Sequence, residues 1–240
     1  MKSTSKLLAI SLFTIISFPL FAQVSHPHYI SVNIGTNIPL EEYSEVSDIE
    51  LGSADQGITY SFEAGMYLSR VFGLGFNLGV FENPLSESDM RDFIIDGGNS
   101  TFNSDNLNVS SSNWVNGYFM IGPLLSFGKE KFIVDFKLLG GVMNTSKPNM
   151  NLDNSSTIDS FTQSREVSST ALAVNYGIHF RIKLIGKLGL RINAEGFQSA
   201  QEFETKVKEF DNNGVESQAT KNIEKEIMAL NLGAGLAFTF

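Results

Sequence analysis

The chain has 240 residues, 42% of them hydrophobic and 18% charged, with a formal net charge of -9. That composition is too apolar for a disordered chain, and its acidic balance argues against nucleic acid as a partner, because phosphate binding relies on clustered Lys and Arg. With no Cys, disulfides, thiolate metal sites and cysteine nucleophiles are all excluded.

At the start of the chain, Lys2 and Lys6 lead into an almost wholly apolar run from Leu7 to Phe21, and Ala22 follows as a small residue suited to cleavage. The run is shorter than the roughly 20 residues a spanning helix needs. Residues 1–22 therefore read as a signal peptide and residues 23–240 as one exported domain. His26 and His28 follow the cleavage point and read as a flexible leader rather than as metal ligands.

From residue 28 onward the dominant pattern is alternation with a period of two, the mark of a half-buried strand. It predicts strands near 29–38, 58–69, 72–82, 114–126, 131–143, 169–182, 187–199 and 225–239. Strands of this length suit a tilted bilayer crossing of about 9 to 11 residues better than a soluble sheet. Residues 88–95 read as a helical turn or two inside a loop. In the fourth strand, Pro123 lacks a backbone donor and predicts a bulge or a break in the ladder. Connections after the second, fourth and sixth strands are short. The other four (39–57, 83–112, 144–168 and 200–224) are long and polar, with 20 acidic and 6 basic residues between them. All long connections then fall at one rim and both termini at the other, as in outer-membrane barrels with short periplasmic turns. The expected fold is all-β, an eight-stranded antiparallel up-and-down transmembrane β-barrel.

One face of these strands is large and apolar, as in Phe62, Leu74, Phe136, Leu138, Tyr176, Ile192 and Leu236. On the other face, small residues surround Glu63, Asp135, Lys137, His179, Arg181, Arg191 and Glu195. A narrow barrel is filled by its own side chains, and buried charges are tolerable when paired. The seven therefore read as structural charges meeting across the lumen. Tyr29, Trp114, Phe127, Phe197, Phe238 and Phe240 lie near strand ends, as girdle aromatics do. Asn-Gly at 213–214 and Gly97-Gly98 read as turn formers.

Taken together, these features resemble the small outer-membrane β-barrels of Bacteroidetes, sometimes labelled porin-family or OmpA-like. The most specific part is the ending Leu236-Ala237-Phe238-Thr239-Phe240. By that resemblance, Phe240 and Phe238 form the signal read by the barrel-assembly machinery, and lipid and lipopolysaccharide of the outer membrane are the surroundings. A peptidoglycan-binding domain, where the family has one, follows the barrel; this sequence gives no such segment, so that role is not expected.

The expected role is structural or surface-binding through the long acidic loops, with no catalysis, cofactor or metal. The loops form ordinary solvated surface, bind divalent cations shared with lipopolysaccharide, or repel anionic solutes. One alternative is a secreted or periplasmic lipid-binding carrier barrel, its apolar face turned inward. The other is a lipid A-modifying barrel enzyme using Ser168, Ser169, Glu166 and His179, although His179 lies far along the same strand.

Overall fold

The computed structural model describes residues 27–46, 51–96, 107–129, 131–154, 160–163, 167–210 and 216–240. The predicted signal segment, His26, Glu166 and both Gly-containing turn motifs lie outside the described residues.

Eight strands close into a barrel: β1 (Tyr29–Leu40), β2 (Gly57–Tyr67), β3 (Phe72–Asn83), β5 (Trp114–Lys129), β6 (Phe132–Ser146), β9 (Ser168–Ile185), β10 (Leu188–Phe210) and β11 (Glu216–Thr239). Every neighbour in the ring is antiparallel, and β1 closes it by pairing with both β2 and β11. Closure leaves no free sheet edge in the barrel wall. Among the described residues the tight turns lie at one rim. There, Gly186 takes φ 58° in the two-residue turn between β9 and β10, a conformation that glycine adopts without a Cβ penalty.

The long connections are structured. A 3-10 turn, Glu41–Ser44, follows β1, and the expected loop helix is α1 (Glu87–Asp96). Short strands β4 (Leu107–Ser111), β7 (Met150–Asn154) and β8 (Ser160–Gln163) form a small sheet that joins two different connections. The largest departure from expectation is at 200–224, which reads as a loop in sequence. Instead β10 and β11 stay paired from Leu188↔Phe238 to Phe210↔Glu216. Above Ser199, β10 leaves β9, so the two strands run on as a ribbon for roughly 37 Å of strand length at about 3.4 Å per residue.

Pro123 produces a break without a bulge. The β5–β6 ladder skips Gly122 and Pro123, then resumes at Leu124↔Lys137 in the register it had at Ile121↔Gly140. Proline removes one donor, and the β3 side of the strand stays paired through Leu74↔Pro123.

All eight barrel strands present large apolar side chains outward, among them Val32, Phe62, Leu78, Phe119, Leu138, Tyr176, Ile192 and Leu236. On β11 this stripe runs from Met228 to Phe238, about 34 Å along the strand. At a tilt of roughly 40° that is about 26 Å of height, close to the ~25 Å apolar band of outer-membrane barrels. The inward-apolar carrier arrangement is thereby overturned: the large apolar belt is outside and the charged face is inside.

The aromatic girdle is only partly as expected. Phe127, Phe238 and Phe240 are exposed, but Tyr29, Trp114 and Phe197 are buried inside the barrel. Their alternation phase explains it. Tyr29 shares a face with Ser31 and Asn33, Trp114 with Asn116, and Phe197 with Glu195, all of them buried. Phase, rather than nearness to a strand end, sets the direction of a side chain on a pleated strand.

Candidate functional site

The interior is layered, and each layer follows from the residue types at the inward positions. Nearest the short turns, Arg181 on β9 grips Asp135 on β6, with Nε 2.7 Å from Oδ2 and Nη2 3.0 Å from Oδ1. Ser126 donates to the same carboxylate at 2.5 Å and Tyr67 at 3.2 Å, and Arg181 also reaches the Tyr67 hydroxyl. Tyr29 lies against both guanidiniums, its ring centre 4.3 Å from Arg181 Cζ and 4.6 Å from Arg191 Cζ. The ring fits because position 65 is glycine; a Cβ there would sit 2.2 Å from the Tyr29 ring. Across the base, the Tyr67 amide donates to His28 Nδ1 at 3.0 Å and the Phe240 amide to the His28 carbonyl at 2.9 Å. His28 is therefore a fixed part of the barrel floor, not the flexible leader expected of it.

The next layer joins the remaining charges. Glu63 accepts from Arg191 at 2.8 Å, from Lys137 at 3.2 Å and from Asn33 at 3.1 Å. Lys137 also contacts Glu195 at 2.9 Å, and the His179 ring lies 3.0 Å from Glu195 and 3.6 Å from Glu63, with Arg191 against its other nitrogen. Asn77 and Asn175 donate to the outer oxygen of Glu195 at 3.2 and 3.3 Å, and Asn193 to its other oxygen at 3.2 Å. Three carboxylates thus face one ammonium and two guanidiniums, all buried. Such a network is stable only because nearly every charge has a partner of opposite sign in a low-dielectric space.

Glu63, His179 and Glu195 have ligand-type atoms within 4.8 Å of one another. However, Lys137 Nζ bridges both carboxylates at 2.9 and 3.2 Å, where a cation between them would sit. A divalent ion needs carboxylate oxygens near ~2 Å and would be forced against the ammonium. The donor set is thus arranged around lysine and does not suit a metal.

Above the charges the lumen becomes apolar. Tyr118 and Phe197 pack as a tilted pair with centroids 4.6 Å apart, Phe81 joins them at 5.7 Å from Phe197, and Met120, Leu139 and Met143 complete the layer. The mouth is then closed by connections from the long-loop rim. Trp114 packs edge-on against Tyr43 at 5.7 Å and against Phe203 of the ribbon at 6.0 Å. Burial pushes the Tyr43 hydroxyl well above the ordinary phenol range, with its Asn116 hydrogen bond a smaller opposing effect. It donates to Asn83 at 3.2 Å. Lys225 of the ribbon donates to the carbonyls of Gly52 at 2.7 Å and Glu45 at 3.1 Å, its ammonium 5.9 Å from the Trp114 ring centre. The ribbon base is thereby tied to the first long connection, which covers the barrel end.

The lipid A-modifying grouping is not assembled. Ser169 lies at the rim, where its hydroxyl accepts from the Glu202 amide at 3.2 Å. His179 is ten residues further along β9, roughly 34 Å away along the strand, and fully buried in the charge network. Ser168 pairs with Ser146 at the same rim as Ser169.

Sequence reasoning brings together all seven lumen charges on one face. It misses Tyr29 and Tyr67 as their partners and Trp114 as packing at the mouth, although each shares the inward phase of its strand. It also misses Lys225, because the ribbon that carries it reads as loop.

No protein-family model and no curated relative matches this chain. Among solved structures, it is similar to a major outer membrane protein from Thermus thermophilus, at 16% identity and TM-score 0.48, covering 90% of this chain and 100% of that one. It is also similar to the outer membrane protein OprG from Pseudomonas aeruginosa, at 11% identity and TM-score 0.47, covering 91% and 99%. A third is Ail, the attachment invasion locus protein of Yersinia pestis, at 12% identity and TM-score 0.44, covering 88% and 99%.

Proposed function

We propose that this chain is an outer-membrane β-barrel whose role is structural and surface-presenting, with no catalytic step and no open pore. The observation that carries this reading is the uninterrupted apolar belt around a closed barrel whose interior is filled by ion pairs and packed aromatics. A belt of this height in water would be an aggregation surface; in lipid it is the favourable state.

In this reading both termini and the short turns face the periplasm, and the acidic long connections face outward among lipopolysaccharide. The β10–β11 ribbon continues past the end of its pairing with β9 and is the natural contact element, since binding surfaces vary on loops held by a rigid scaffold. Phe238 and Phe240 are exposed at the closing strand, where the barrel-assembly machinery would engage them. The resemblance to small Bacteroidetes barrels accords with this assignment.

The test is expression of the full chain in a Gram-negative host, a carbonate wash of the membranes, and gel mobility with and without boiling. Retention in the outer membrane with a heat-dependent shift is the expected result. A soluble product without a shift would overturn the assignment.

A further inference from the structure

The two ends of the barrel differ in charge, and the short-turn end carries a basic cluster on one flank. Lys129 and Lys131 border the β5–β6 turn, and Lys183 and Lys187 border the β9–β10 turn. These turns are neighbours because β6 pairs with β9. The Lys183 amide donates to the Lys131 carbonyl at 3.0 Å, which sets these two side by side. All four lysines are exposed, and among the described residues none makes a salt bridge. Glu130, between Lys129 and Lys131, lies outside the described residues; with it included the two turns still carry four lysines against one carboxylate, and that net positive charge favours an anion.

Directly beside it lies an apolar, aromatic surface. Phe132 and Phe180 stack at 6.0 Å just inside the turns, and Lys187 Nζ lies 5.8 Å from the Phe238 ring centre at the edge of the belt. Leu184 and Ile185 project from the end of β9, Ile185 with 83% of its surface exposed. Lysines level with the rim and rings immediately beyond them match the two parts of a phospholipid, a phosphate and its acyl chains. A free phosphate would need only the first.

We infer that the flank of the barrel formed by the β5–β6 and β9–β10 turns is a binding surface for an anionic phospholipid, such as phosphatidylglycerol, in the leaflet at the short-turn rim. The inference rests on the membrane assignment above. The opposite rim, rich in carboxylates, disfavours the same lipid, so the surface also fixes which end of the barrel meets an anionic leaflet. An exposed basic residue near an anionic surface is worth about fivefold in partition.

The test is reconstitution of the barrel into vesicles of equal phosphatidylglycerol and phosphatidylcholine, followed by native mass spectrometry of the lipids it retains. Wild type and the triple variant Lys131→Gln, Lys183→Gln, Lys187→Gln are compared, with the corresponding Lys→Arg triple as the conservative control. Heat-dependent gel mobility reports insertion in each case. The expected result is preferential retention of phosphatidylglycerol by wild type and the Arg triple, falling about fivefold or more in the Gln triple while insertion persists. Insertion with no preference in wild type, or with the same preference in the Gln triple, would overturn the lipid site and leave the membrane assignment intact. Failure of wild type to insert into any vesicle would overturn both.

Discussion

Replacing Glu63 with Gln tests whether the lumen network holds the barrel together. Glu63 is 1% exposed and is the salt-bridge partner of both Arg191 and Lys137. Glutamine keeps the shape and can still accept from Asn33, so the change is close to a pure loss of charge. Three carboxylates facing three bases become two facing three. Lys137 keeps Glu195, but Arg191 has no second carboxylate in a salt bridge among the described residues. Removing one member of a buried ion pair typically costs about 3–5 kcal/mol, because the other is left uncompensated. With a urea slope of about 2–3 kcal/mol per molar, the unfolding midpoint in lipid vesicles should fall by roughly 1.5 M. Glu63→Gln combined with Arg191→Met should recover part of this loss, giving a coupling of about 1–3 kcal/mol in a double-mutant cycle. A single variant within about 0.5 kcal/mol of wild type would refute the idea that the charges act as a network.

Two further outcomes follow from the belt and the mouth. Leu138→Arg, at an outward position 56% exposed, should cost about 2–4 kcal/mol in lipid, whereas Leu172→Arg near the long-loop rim should cost about 0–1 kcal/mol; equal effects at both depths in vesicle unfolding would contradict the belt. Lys225→Met keeps the stem against Trp114 but removes two hydrogen bonds from a charged donor, each worth about 1.5–3 kcal/mol. The Ala54 amide, which donates to the Tyr43 carbonyl, should then exchange at least roughly tenfold faster by hydrogen–deuterium measurement, and unchanged exchange would show that the ribbon does not tie down the first connection.

The sequence by itself determined the number of barrel strands, their approximate limits, the rim with short turns and the face each charge occupies. The strands and their faces follow from a strict two-residue period, and the rim from the alternating lengths of the connections; both are local and survive any register. Only the tertiary structure decided which charges meet. Glu63 on β2 and Arg191 on β10 are 128 residues apart and touch across the lumen, which depends on how far each strand is staggered against the next. The inward direction of Tyr29 and Trp114, by contrast, was legible in the sequence, because each shares the alternation phase of buried polar residues on its strand. Residues 200–224 were hidden for a different reason. Their outward positions carry Glu202, Glu204 and Glu224, so they lack the apolar face that marks the barrel strands. Their strand form comes from pairing with each other, and the burial of Phe203, Ile223 and Lys225 at the ribbon base comes from the barrel mouth they cover.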